Sequence, residues 1–392
     1  MARYSRIGAW RMGALTSHPA TQPKNVTFDG LLRGLSTGIM LQRMARPIPA
    51  EVIFNPNWWN RNYGISFDES FYFDRALRTQ NDLKMRRALY ERFRLGVSNP
   101  GPRPIVGSEH VAGGFVMPAL FGCKIRFEAN AAPTPVPRDL GAEEALALTV
   151  PDIATTWPMS QLIADLDSLE SQFGWACGDF DLDGVLNTAL QIRGQQFFMD
   201  FYEAPQLAHH VLSVVTGAQI AVGTYMRART GTLSLSTNRS TVNVDPSIFL
   251  HSNCSVQMVS PRVYDEFLFP YEKRLAEKLA PYGIHHCGDN LQLYAQCYAR
   301  LPVVFFDVGW GSDVARCRKE LPGAFLNLRL NPVRMLQCSA AEIRRDAEQL
   351  LAAVGDTRNV GLCCINMDYG TPDENVRALL EVAASGGMRD DG

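Results

Sequence analysis

Two short segments carry residue types that could hold a metal ion. The first is Gly283-Ile284-His285-His286-Cys287-Gly288-Asp289-Asn290. His285 and Cys287 stand two apart at the end of an apolar run, and in a strand residues i and i+2 project to one side. An imidazole nitrogen and a thiolate on one side can share a zinc ion, at about 2.0–2.1 Å and about 2.3 Å respectively. Alone, the triplet more commonly describes a buried thiol beside a hydrogen-bonded histidine. The second segment is Gly361-Leu362-Cys363-Cys364-Ile365-Asn366. It reads as another strand end, and because side chains alternate, one of its two cysteines must face away from the other. A His/Cys/Cys set leaves the fourth tetrahedral position of zinc open, which distinguishes catalytic from structural zinc. Zinc deprotonates a thiol that coordinates it, so a thiol substrate at that position becomes a thiolate at neutral pH.

The elements that must position these residues are clearest in the C-terminal half. A long amphipathic helix is predicted over 205–228, opening on Pro205, and another begins at Ser260-Pro261 and closes at Pro281-Tyr282-Gly283. Strand and helix then alternate: strand 283–287, helix 290–300, strand 303–308, helix from Asp313, strand 324–330, helix 340–354, strand 360–366, helix from Asp373. This order means parallel strands with crossover helices. Four such units at the end of so long a chain favour a (β/α)8 barrel, with a doubly wound sheet as the alternative. In a barrel all strand C-termini open on one face, so the two metal-type segments would meet there. No glycine-rich phosphate fingerprint follows any strand, which counts against a nucleotide-binding Rossmann domain. Residues 51–73 read as a strand and a structured loop, 82–96 as a helix, and the proline-bearing stretch 129–152 as a loop or insertion. Residues 1–50 show no strong pattern and are taken as an extension packed on the barrel, with 51–392 as a single domain.

The chain has 392 residues, 38 Lys+Arg and 40 Asp+Glu, for a net charge of −2. A near-neutral balance argues against nucleic acid or an anionic membrane surface as partner. No apolar run reaches the roughly 20 residues of a membrane helix. The nine cysteines are odd in number and irregularly spaced, which suits a reducing, cytoplasmic setting better than a disulfide scaffold.

Further motifs resemble one family. Ser260-Pro261-Arg262-Val263-Tyr264-Asp265-Glu266-Phe267 with Pro270-Tyr271, then His285-x-Cys287-Gly288, then Gly370-Thr371-Pro372-Asp373-Glu374-Asn375-Val376, and Gly194 to Asp200 ahead of Pro205, are similar in order and spacing to the uroporphyrinogen decarboxylase superfamily. Within it they resemble the zinc-dependent, corrinoid-linked methyltransferases. The resemblance spans residues 190–385, roughly half the chain. It implies a (β/α)8 barrel and zinc held by His285, Cys287 and Cys364, the cysteine nearer the Thr371-Pro372 turn; Cys363 would then pack inward. It implies methyl transfer between a corrinoid such as methylcobalamin and a thiol, a folate or a methylated small molecule. No corrinoid-binding DxHxxG segment is present, so the corrin would arrive on a separate protein.

The alternative on the same barrel is a decarboxylase or lyase. Pro56-x-Trp58-x-x-Arg61-x-x-Gly64 is similar to the decarboxylase signature, but its second arginine falls on Ile65 and a further expected aspartate falls on Gly113. Both departures count against decarboxylation. Arg61 is expected to hold an anionic substrate group, unless it pairs with Asp68 or Asp74. Trp58 belongs to an aromatic cluster that reads as core or as an apolar wall. Asp245, His251 and Asn253, ahead of the helix at 261, and Asp289 beyond the metal motif are expected to line the mouth. Glu109 is a candidate for a fourth metal ligand.

Overall fold

A computed structural model describes residues 47–107, 114–233 and 244–386. Most of the expected N-terminal extension, as well as Glu109 and Gly113, lies outside these residues. The strands are β1 (Ala50–Phe54), β2 (Ile105–Gly107), β3 (Lys124–Glu128), β4 (Ala131–Val136), β5 (Cys177–Asp179), β6 (Phe249–Asn253), β7 (Tyr282–His286), β8 (Val303–Val308), β9 (Phe325–Arg329) and β10 (Val360–Met367). Six form one parallel sheet in the order β1-β10-β9-β8-β7-β6. The first strand therefore lies against the last, which is how a sheet curls on itself. β2 and β5 make a separate parallel pair. Among the described residues no ladder joins that pair to β1 or to β6, so the sheet is curled but not closed by hydrogen bonds.

The alternation expected from 283 onward is present nearly residue for residue. Two of the crossover helices start on a side-chain cap: Asp313 accepts from Arg316 N, and Ser339 forms a capping box with Glu342. The long helix Pro205–Thr230 stops where Gly231 turns left-handed, at φ 75°. Two expectations fail. Residues 56–63 are a helix, because Pro56 suits a first turn and Gly64 supplies a left-handed end at φ 62°. The proline-bearing segment is not a plain loop. β4 pairs antiparallel with β3 as a two-stranded hairpin, and Pro133 and Pro135 are tolerated because an edge strand need not donate on both sides.

Register places side chains inside the curl in layers. Leu250, Gly283, Phe305 and Phe325 are paired across β6 to β9 and, with Val244 and Ile248, form a small apolar plug. The Phe305 and Phe325 rings stack with centroids 5.4 Å apart. Burying each such ring contributes about 1.5–3 kcal/mol. Gly283 makes room for this plug: a Cβ there would stand 3.0 Å from Ile248 and 3.1 Å from Leu250. Two residues further along each strand come Ser252, His285, Asp307, Asn327 and Gly361. Next come Arg329, Cys363 and Glu51. The opposite face of the same strands, with Ile284, Phe306, Leu328, Leu362 and Cys364, packs into the large core beneath the helices.

Candidate metal centre

His285 sits on β7 with its side chain inside the curl, and its backbone neighbour across the ladder is Asp307 on β8. The pairing brings His285 Nδ1 to 2.5 Å from Asp307 Oδ2, both fully buried. Asp307 Oδ1 accepts from Asn327 Nδ2 at 3.2 Å and lies 3.5 Å from Cys363 Sγ. Burial works against a charged imidazole here, but the Asp307 carboxylate outweighs it and raises His285 above its usual range. With Nδ1 held by a carboxylate, the lone pair belongs on Nε2. That atom is buried without a well-formed hydrogen bond.

Cys254, one residue beyond β6, and Cys287, one beyond β7, face this imidazole. The ligand atoms of Cys254, His285 and Cys287 all lie within 4.8 Å of one another. The edges of a tetrahedral zinc site with such donors are about 3.6–3.8 Å, so the set needs only a small contraction to hold the ion. The two sulfurs are hydrogen-bonded to each other. The Cys254 thiol, with His285 and Arg329, draws Cys287 well below the usual thiol range despite burial. Cys254 is driven up by that same hydrogen bond, by burial and by the charges of Asp183 and Asp181. Burial and Asp181 also push the Asp183 carboxyl up to about 7. A buried orphan imidazole nitrogen, two thiols and surrounding carboxylates are a donor set that suits a divalent, thiophilic cation.

The expected ligands are thus only partly brought together. His285 and Cys287 meet as their spacing implied. Cys364 does not join them. It shares the parity of Leu362, points under the helices, and has only Ile365 O at 3.9 Å as a polar neighbour; burial pushes its thiol up to about 12. Its neighbour Cys363 is the one that faces inward, beside Asp307. Cys254 takes the place expected of Cys364. Sequence reasoning passed over it because the run Ile248-Phe249-Leu250-His251-Ser252-Asn253 was not read as a strand. Such an apolar run ahead of the Ser260-Pro261 helix start was the available signal.

The substrate residues divide in the same way. Trp58 is 1 % exposed, stacked on Phe54 at 3.9 Å and capped by Arg92, so it is core. His251 points away from the centre, because it alternates with Ser252. Its Nε2 accepts from Val185 N at 3.1 Å, and burial lowers it to about 3. Asn253 shares that outward face and donates to Glu272 at 2.8 Å. Asp245 precedes β6 and therefore lies at the opposite end of the sheet, capping Ser247. Asp289 is exposed in the loop after β7, on the site's side. Arg61 pairs with neither Asp68 nor Asp74. It is exposed and lies over the Tyr369 ring, 4.8 Å from its centroid, where the helix after β1 meets the loop after β10. Ile65, where the decarboxylase signature asks for arginine, is buried at 2 % exposure.

Comparison with known proteins accords with this architecture. The family model described as uroporphyrinogen decarboxylase (URO-D) matches residues 113–385. Among solved structures, a methyltransferase from Methanosarcina mazei superposes with a TM-score of 0.60 at 16% identity, over 86% of this chain and 93% of that one. A B12-independent methionine synthase from Shewanella sp. W3-18-1, in complex with selenomethionine, gives a TM-score of 0.45 at 11% identity, over 88% and 97% of the two chains. No curated protein sequence matches the chain. Among the described residues no helix is long and apolar enough to cross a membrane.

Proposed function

The chain belongs to the uroporphyrinogen decarboxylase family, and from that premise we propose that it is a zinc-dependent methyltransferase working with a corrinoid co-substrate. The observation that carries the reading is the Cys254–His285–Cys287 set, with His285 oriented by Asp307, at the C-terminal end of parallel strands. That end is where barrel enzymes build active sites. We read the eight parallel strands β1, β2 and β5 to β10 as a (β/α)8 barrel whose two seams lack ladders. The fold shared with the Methanosarcina methyltransferase supports the choice of methyl transfer over other chemistry.

The residues have separable tasks. Cys254 and Cys287 would supply two negative charges that, with a neutral His285 imidazole, balance a divalent ion, and as a three-ligand set would leave room for a substrate ligand. Asp307 keeps the proton on His285 Nδ1, so that Nε2 is available as a donor. A zinc ion held there would act as a Lewis acid that keeps a substrate thiol ionised or polarises a departing heteroatom. Asp183, whose carboxyl is pushed up to about 7 by burial and Asp181 and which interacts electrostatically with His285 and Cys254, is the candidate to take up or return a proton there. The plug of Leu250, Phe305 and Phe325 closes the curl below the centre and keeps water from entering beneath it. The corrinoid would come on a separate protein to the exposed mouth, in a cytoplasmic setting. The methyl donor or acceptor is a small molecule, either a thiol, a folate or a methylated compound.

The test follows cob(I)alamin–methylcobalamin interconversion with a panel of thiols, folate and methoxylated compounds, on zinc-loaded and metal-stripped protein. Turnover only in the zinc form is the expected result. Equal turnover without metal refutes the reading, and coproporphyrinogen production would favour the decarboxylase alternative.

A further inference from the structure

Arg329 is the last residue of β9, with its side chain on the inside of the curl and only 3% exposed. Its hydrogen bonding is nearly empty. Nη1 reaches Cys287 Sγ at 3.7 Å, and Nε is buried with no partner. A guanidinium offers five N–H donors in a fixed fork, and burying it without an anion is costly. The charges of Asp307, Cys287 and Cys363 stabilise it, but Asp307 places Oδ2 on His285 and Oδ1 on Asn327 and Cys363, and the one side-chain hydrogen bond of the guanidinium is the long one to Cys287. A permanently charged fork is therefore held at the metal centre with most of its donors unspent.

We propose that Arg329 receives a carboxylate-type oxyanion on the small molecule whose methyl group is exchanged at this centre; the inference rests on the methyl-transfer reading above. The planar fork suits a two-oxygen acceptor bound side by side. With Cys287 Sγ 3.7 Å from Nη1 and about 2.3 Å from a bound zinc ion, the guanidinium lies within about 6 Å of the metal. An anionic group two or three bonds from the reacting heteroatom spans that interval. Neutral thiols and methoxy compounds would leave the fork unpaired and bind weakly. Arg61, the arginine expected from sequence to hold such a group, is instead exposed on Tyr369.

The experiment is calorimetric titration of the full chain, zinc-loaded and metal-free, with 3-(methylthio)propionate and with its uncharged counterpart 3-(methylthio)-1-propanol. The expected result is a preference of about 10- to 100-fold for the anion, the range for a hydrogen bond to a charged group. Arg329→Gln should erase the preference in the metal-free chain and in zinc-loaded chain compared at equal zinc occupancy by metal analysis, and Arg329→Lys should restore part of it. Equal binding of the two compounds by the wild type overturns the proposal, and that comparison stands even where a variant fails to fold. Retention of the preference in Arg329→Gln overturns it as well. A chain that takes up no zinc would instead sink the methyl-transfer reading, and the metal-free titration would still report on Arg329.

Discussion

Two buried polar groups lie back to back across β6 and β7, built from residues that alternate in sequence, and they end in opposite conditions. On the helix side, His286 has both ring nitrogens engaged, Nδ1 with Tyr298 Oη and Nε2 with Asn290 Oδ1, each at 2.9 Å. Glu272 accepts from Asn253 at 2.8 Å and from Tyr264 Oη at 2.7 Å, and Asn253 also donates to Tyr298 at 3.2 Å. On the inner side, His285 has Nδ1 engaged and Nε2 without a well-formed hydrogen bond, the Cys254 and Cys287 sulfurs bond to each other through hydrogen, and Arg329 has Nε unpaired. A saturated buried network fixes packing, since removing any member leaves its partners desolvated. An unsaturated one keeps capacity for something that arrives later. Residue type does not separate the two sides, since both contain histidine, and an orphan atom alone does not either, since His251 Nδ1 and Tyr282 Oη on the helix side are buried without a partner; the inner side is set apart by two thiols and a guanidinium gathered at its open imidazole.

The sharpest way to break this contrast is through the metal ligands. Cys254→Ser and Cys287→Ser should each remove stoichiometric zinc and all methyl transfer, whereas Cys364→Ser should leave zinc content intact. Metal analysis of the three purified variants decides it, and zinc loss from Cys364→Ser alone would return the third ligand to the last strand. A second test exchanges function for stability. Glu272→Ala strands the Tyr264 hydroxyl and the Asn253 amide, and should cost about 2–4 kcal/mol of stability in urea unfolding while zinc content is unchanged. If Glu272→Ala empties the metal site, the two networks are not independent.

Asp307→Asn sharpens the contrast from the other side. It should leave unfolding nearly unchanged but weaken zinc binding about 10- to 100-fold, the usual result of removing a carboxylate behind a ligating histidine. Competition with a colorimetric chelator measures this. A further effect is in pH dependence. Burial lowers His251 to about 3 from an ordinary value of 6.5. Between those values the unfolded chain binds a proton that the native state refuses, so His251 contributes stability above pH 6.5 that is lost as pH falls toward 3. Urea midpoints of wild type and His251→Gln across this window should converge as the pH is lowered. Parallel curves would mean that His251 does not titrate on unfolding.

Much of this was legible in the chain itself. The crossover units from 283 to 384 could be read because apolar runs of strand length alternate with capped helices, and those signals are local. The helix at 56–63 and the hairpin at 124–136 were missed for the converse reason: aromatic and proline content resembled a loop, while a first-turn proline and a free edge made regular structure possible. The aromatic cluster was read as either core or wall, and burial of Trp58 and Trp59 makes it core.

For the site, sequence alone determined the pair. His285 and Cys287 share a side because a strand has a period of two, and no tertiary contact is needed to know it. The same period required that Cys363 and Cys364 face opposite ways, but which of them turns inward depends on parity against β1 and β9, set by ladders to residues far away in sequence. Only the tertiary structure brought Cys254 in from β6, placed Asp307 behind the histidine and set the Arg329 fork beside Cys287 with its Nε unpaired. Each of those is a long-range adjacency between parallel strands, whose register is decided by the packing of the whole curled sheet and leaves no mark in the spacing of nearby residues.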